Sequence, residues 1–240
     1  MVPFDKCMLR ALVAEFVCTF IFIFTICSQG LQPAGAASSA LATSLVAVAV
    51  IYAFGGLSGA HFNPAVTVGA MVGGKIDPIK GAMYIALQLA AALLAVAAWM
   101  GFCPSRDVAA DLVLRPGQGV SLPAAVGMEF LQSFILVLVI YCTAMGVRTA
   151  ASPQDVESQD ETTELIAANR QRMNFAPIAI GFTLGSLCFL GGGVSGGAFN
   201  PARATAPALL ALQLGDVWVY WVGDVLGGAA AAGLYMLVLA

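Results

Sequence analysis

The chain alternates between long apolar stretches and short polar connections. Six stretches, at roughly 9–28, 39–57, 82–103, 124–147, 175–191 and 217–238, are each about as long as a spanning helix must be. Two apolar segments remain, 64–73 and 201–211. Ten residues of helix rise only about 15 Å, half of a hydrocarbon core of about 30 Å, so neither crosses alone. Each begins with proline, which suits a first helical turn because the N–H it lacks would be unpaired there. The pattern predicts two half-helices that enter from opposite faces and meet tip to tip. The glycine-rich backbone before each must then be buried in protein or line a watery cavity.

The two half-helices are copies. Residues 55–66 read GGLSGAHFNPAV and residues 192–203 read GGVSGGAFNPAR, identical at 8 of 12 positions at an offset of 137. A fainter echo pairs LVAEFVCTF (12–20) with GMEFLQSF (127–134), placing Glu15 and Glu129 early in spans one and four. Three spans plus a half-helix, twice over, is the inverted-repeat plan, because an odd number of spans flips the second copy. The fold expected is an all-α membrane protein of six transmembrane helices plus two half-helices. It forms a single transmembrane domain, with repeat 1 over about 8–103 and repeat 2 over about 124–238. The copies differ in chemistry: His61 answers to Ala198, and Val66 answers to Arg203.

Composition agrees with the spans. Of 240 residues, 60% are hydrophobic and only 10% charged, and the mean hydropathy is +0.91. A soluble domain carries about 25% charged residues. The net charge of −3, with scattered cations, gives no reason to expect nucleic acid. Six cysteines (7, 18, 27, 103, 142, 188) show no metal-ligand spacing and read as small apolar filler, so neither metal nor cofactor is expected. The N-terminal apolar run is long enough to stay as a span rather than be cleaved as a signal.

Lys and Arg in short loops set orientation. One side gains Lys6, Arg10, Lys75, Lys80, Arg148, Arg170 and Arg172; the other gains Arg106 and Arg115. Both termini are therefore expected in the cytoplasm. The one polar tract of any length, 148–173, carries Asp155, Glu157, Asp160, Glu161 and Glu164 with Ser152 and Ser158. It reads as a solvated cytoplasmic loop with a short helix over 160–172, and a gate or a phosphorylation switch there stays open.

SGAHFNPAVT and SGGAFNPAR, each heading a half-helix, resemble the aquaporin (major intrinsic protein) family. AEF in the first span, YIALQ in the third and VWVYWVG opening the sixth extend the likeness over the whole chain. The GGG-SGG-FNPAR wording is most similar to the vacuolar (tonoplast) members. The resemblance implies a passive channel for water that excludes protons and ions, in a homotetramer, within a plasma or vacuole-like membrane. The pore motifs are then Asn63, Pro64 and Ala65 with Asn200, Pro201 and Ala202. By the same resemblance Arg203 is the constriction arginine, and counting back from each Asn places Thr43, Cys188 and Gly197 beside it. Strict water channels carry aromatic and histidine bulk at the first two of these positions, so a wider filter is implied. Ammonia, hydrogen peroxide, urea and glycerol become candidate partners besides water. Ala204 after Arg203 and the pair Tyr220, Trp221 match water-type members. Asp224 stands where the family commonly has proline, which leaves the start of the sixth span and its vestibule open.

Physical chemistry reaches a similar mechanism. Each half-helix N-terminus carries about half a positive elementary charge and several unpaired N–H groups. Asn63 and Asn200, at the N-cap positions, can cap their helices through the side-chain oxygen and leave their NH2 groups to point into a pore as donors. A water accepting from both turns its hydrogens outward and interrupts a proton-relaying file. Arg203, the one cation that the span pattern puts within the membrane, must face water or a partner. Glu15 and Glu129 read as braces that accept loop N–H bonds rather than as a proton relay. His61 reads as a satisfied loop residue rather than a pH sensor.

Two other function classes fit parts of the pattern. GLSG and GVSG fit a serine-nucleophile pattern, but the single histidine lies in the same loop as Ser58. A secondary transporter of a small polar solute shares the inverted repeat, yet the interior offers few ionisable groups for coupling.

Overall fold

The computed structural model describes residues 5–28, 35–103, 107–146 and 159–239, and among them all regular structure is helical. Arg106, Arg148, Ser152, Asp155, Glu157 and Ser158 lie outside the described residues. The first repeat holds α1 (Lys6–Cys27), α2 (Gly35–Ser58), the half-helix α3 (Pro64–Val72) and α4 (Pro78–Phe102). A short helix α5 (Val108–Asp111) follows. The second repeat holds α6 (Leu122–Ile140), α7 (Gln159–Gly191), the half-helix α8 (Pro201–Leu210) and α9 (Val217–Leu234). α6 and α9 each end in one wider π-turn, over Tyr141–Met145 and Tyr235–Leu239. Six of these helices are long and apolar enough to cross a membrane.

Local sequence sets where the helices start. Asp5 Oδ1 accepts from the Met8 N–H at 2.8 Å to cap α1, and Asp77 Oδ1 accepts from Ile79 at 2.9 Å to cap α4 just before Pro78. Such caps satisfy N–H groups that have no partner inside the helix. The polar tract after span four is the exception to the expected boundaries. In place of a separate short helix followed by a fifth span, α7 runs unbroken for 33 residues through Pro177. At about 1.5 Å per residue it is near 50 Å long and outreaches the bilayer. Hydropathy marks where lipid stops, whereas Glu, Leu, Ala, Gln and Arg over 161–172 favour helix on either side of that line.

The packing follows the repeat. α1 lies against α4 as α6 lies against α9, α2 meets α7 between the two repeats, and each half-helix packs on the third span of the other repeat, α3 on α9 and α8 on α4. Glycines allow the close crossings. A Cβ on Gly227 would collide with the Phe130 carbonyl, and one on Gly185 would stand 2.9 Å from the Ala40 carbonyl. Small residues at crossings are what membrane helices need, since apolar burial offers little drive between helices already in lipid. The main core, around Phe22, Ile23, Leu136, Val137, Leu184 and Phe199, encloses the half-helix tips. Leu41, Leu45, Leu94, Phe182, Phe189 and Leu226 point outward and suit a lipid environment.

Candidate functional site: the meeting point of two half-helices

Asn63 caps α3, its side-chain oxygen accepting from the Ala65 N–H at 2.8 Å. Asn200 caps α8 in the same way, accepting from Ala202 at 3.0 Å and from Arg203 at 3.4 Å. The amide groups then reach across. Asn63 Nδ2 donates to the Phe199 carbonyl at 2.6 Å, and Asn200 Nδ2 donates to the Phe62 carbonyl at 2.9 Å. The two loops are thus latched tip to tip by a reciprocal pair of bonds. The sequence left both NH2 groups free for a pore; the fold uses one hydrogen of each and leaves the second. Pro64, Ala65, Pro201 and Ala202 are buried behind the tips.

The backbone is bent to make this possible. Phe62 and Phe199 adopt φ of 36° and 35°, in the left-handed region that bulky residues avoid. Gly196 (φ 89°) and Gly197 (φ 62°) answer to Gly59 (φ 95°) and Ala60 (φ 48°). At Ala60, Phe62 and Phe199, which are not glycine, such conformations cost on the order of 1–3 kcal/mol each and persist only where the surroundings over-determine them.

Glu15 and Glu129 are the surroundings in question. Glu15, fully buried, accepts from Ser58 Oγ at 2.7 Å and His61 N at 2.8 Å through one oxygen. Its other oxygen accepts from Phe62 N and Gln88 Nε2, both at 2.9 Å. Glu129 accepts from Ala198 N at 3.0 Å and Phe199 N at 2.6 Å. His61 Nδ1 lies 3.2 Å from Thr67 Oγ1, and its ring stands edge-on to Tyr84. Ser58 Oγ also accepts from Ala60 N at 3.0 Å, as Ser195 Oγ does from Gly197 N at 3.3 Å, so both serines turn their own loops.

Several partners escaped the reading of the sequence. Tyr84 donates to the Ser58 carbonyl at 2.9 Å and Tyr220 to the Ser195 carbonyl at 2.8 Å, clamping the two loops alike. Gln88 follows Tyr84 by four residues as Asp224 follows Tyr220, a spacing visible in the sequence once the third and sixth spans are aligned. Tyr141, in the first π-turn, donates to the Gly69 carbonyl of α3 at 2.9 Å.

Arg203 stands on the first turn of α8, half-buried, and its guanidinium donates to the Gly197 carbonyl. One lone pair of the Gly197 carbonyl is therefore already taken. Thr43 is buried on α2 and Cys188 half-buried on α7, two helices in mutual contact. Two cavities adjoin the half-helices. The larger, about 640 Å³, reaches Asn63 past Tyr52, His61, Lys75 and Lys80. The smaller, about 220 Å³, is walled by Arg203, Ile23, Cys27, Ser39 and Asp111. Neither Thr43, Cys188 nor Gly197 lines the smaller one, whereas Cys27 does, a placement with no signal in the sequence. Among the described residues no group of three or more His, Cys, Asp or Glu side chains could hold a metal ion.

Comparison with known proteins agrees with this architecture. Residues 4–235 match the family model described as Major intrinsic protein. Aquaporin-B of Dictyostelium discoideum is 38% identical over 238 residues, covering 93% of this chain and 81% of its own. A probable aquaporin TIP2-2 of Arabidopsis thaliana is 34% identical over 254 residues, covering 97% and 88%. The aquaglyceroporin of Plasmodium falciparum shares the fold at a TM-score of 0.78, with 22% identity and 97% of each chain covered. By motif, fold and relatives, this chain is an integral membrane protein, a channel and not an enzyme, and it belongs to the major intrinsic protein family.

Proposed function

We propose that the protein conducts water passively through one pore that passes the two latched tips and excludes protons and ions. The observation that carries this reading is the pair of asparagine amides, buried at facing half-helix N-termini, each with one hydrogen left after the cross-loop bond. A water that accepts from both must point its own hydrogens away from the centre, so neighbouring waters cannot relay a proton through it. The two helix N-termini add positive potential at the same depth, which repels hydronium and other cations. Arg203 adds a full charge toward the smaller cavity, held in place by the Gly197 carbonyl. Glu15 and Glu129 serve as braces that keep the strained loops in register, and His61 is a loop partner within the first of them.

Thr43, Cys188, Gly197 and Arg203 form the selectivity filter in this reading, supported by the α2–α7 contact and the Gly197–Arg203 bond. A hydroxyl, a thiol and bare backbone leave room for ammonia, hydrogen peroxide or urea, and for glycerol with less help, since this filter lacks the aromatic wedge that usually meets its carbon backbone. The channel is one domain of two repeats, assembled as a homotetramer, with both termini cytoplasmic in a plasma or vacuole-like membrane. The relatives of TIP type favour the latter membrane. Stopped-flow swelling of proteoliposomes with water, urea, ammonia and glycerol side by side tests the reading. Water flux at or below the lipid background refutes it. Flux that needs an ion gradient points instead to a coupled transporter.

A further inference from the structure

We propose that Asp224 is a positioning residue for the second loop: its carboxyl shares one proton with that of Glu129, donating the hydrogen bond that the Gln88 amide donates to Glu15. The matching tyrosine clamps at residues 84 and 220 put Gln88 and Asp224 at equivalent places on α4 and α9. Gln88 Nε2 reaches Glu15 at 2.9 Å. Asp224 is fully buried and lies within side-chain hydrogen-bonding reach of Glu129. Its Oδ1 accepts from Ser133 Oγ at 3.1 Å, while its Oδ2 has no partner. Glu129 receives two loop N–H bonds where Glu15 receives four bonds in all, so it has lone pairs to spare.

The two carboxyls cannot move apart. A Cβ on Gly223 would stand 2.7 Å from Glu129 Cβ and 2.8 Å from the Val126 carbonyl, so α9 is pressed onto α6 at this level. The groups that face Asp224 are Glu129 and Ser133 from α6, Arg203 from α8 and Tyr220 from its own helix. Arg203 is the one cation among them; its guanidinium donates to the Gly197 carbonyl rather than to either carboxyl, so it offsets their repulsion only from a distance. Two bare carboxylates in contact away from water repel strongly, whereas one proton between them turns a repulsion into a bond and satisfies Oδ2. The proton comes from water during folding. With it, Glu129 remains an acceptor for Ala198 and Phe199, whose backbone carries the carbonyl that latches Asn63.

Infrared absorption of proteoliposomes at neutral pH, parent against Asp224→Asn, tests this directly. The parent should show the carbonyl stretch of a protonated carboxylic acid, downshifted in D2O, and Asp224→Asn should lose it. Asn restores the donor without the proton, so that variant should keep the parent's melting temperature, while Asp224→Leu should melt about 5 °C lower. No difference band between parent and Asn overturns the proposal, as does an Asp224→Leu variant that melts like the parent or an Asn variant that melts like Leu. Should the Leu variant not fold, the band and the Asn melting temperature decide. The proposal rests on the channel reading only for its functional meaning, and since neither readout needs flux the two fail separately.

Discussion

Glu15→Ala removes the acceptor for four donors at once. Three of these, His61 N, Phe62 N and Gln88 Nε2, belong to residues at most 6% exposed, and Ser58 Oγ can turn to other partners. A buried donor left without a partner costs about 1–3 kcal/mol. Water from the adjoining cavity relieves part of that, so a net loss of about 3–5 kcal/mol is expected. At roughly 2–4 °C per kcal/mol for a chain of this size, the melting temperature should fall by about 10 °C. Glu129→Ala strands only two N–H groups and separates a carboxyl from its neighbour Asp224, so its fall should be about half as large. Thermal unfolding of both variants in detergent, followed by tryptophan fluorescence, measures the difference, and proteoliposome swelling reports whether the loop still conducts. Glu15→Ala melting with the parent, or Glu129→Ala being the more damaged of the two, would refute the brace role of these carboxylates.

Arg203→Val should leave water flux largely intact while admitting protons or cations, measured as the collapse of an imposed pH gradient in proteoliposomes; a variant as tight as the parent would falsify the electrostatic role. Mercurials should inhibit through Cys188, which is half-buried, in preference to the buried Cys27 beside Arg203. Cys188→Ser should therefore conduct without inhibition, and persistent sensitivity that Cys27→Ser removes would show that the narrowest part of the pore lies toward α1. Thr43→Phe with Cys188→His should abolish urea and ammonia flux and spare water. If the parent conducts water alone, the wide filter is wrong.

Much of the molecule was legible because it depends on neighbours along the chain. Hydropathy marked six spans, and proline after asparagine marked two helix starts too short to cross. Repetition of Gly, Ser, Asn and Pro at one offset marked two copies of a single device. Glu15 and Glu129 stood out because a carboxylate inside an apolar span needs donors, and loops rich in unpaired N–H groups lie within the same repeat. The fifth span at 175–191 matches the apolar part of α7, but the helix itself continues past it, because hydropathy reports the lipid and not where a helix ends.

What tertiary structure decided is which groups meet across the repeats. The Asn63 amide finds a carbonyl 136 residues away, and nothing local to either residue announces the bond. The left-handed backbone at Phe62 and Phe199 is paid for by those distant contacts, since a phenylalanine has no intrinsic preference for it. Cys27 reaches the Arg203 cavity only because α1, α4 and α8 come together there. Asp224 read from the sequence as a departure from a proline; packing made it the counterpart of Gln88 and set it against Glu129. A sequence lists the hydrogen-bonding capacity of each side chain, whereas the partner depends on which backbones can approach. In this chain glycines at the helix crossings set that approach.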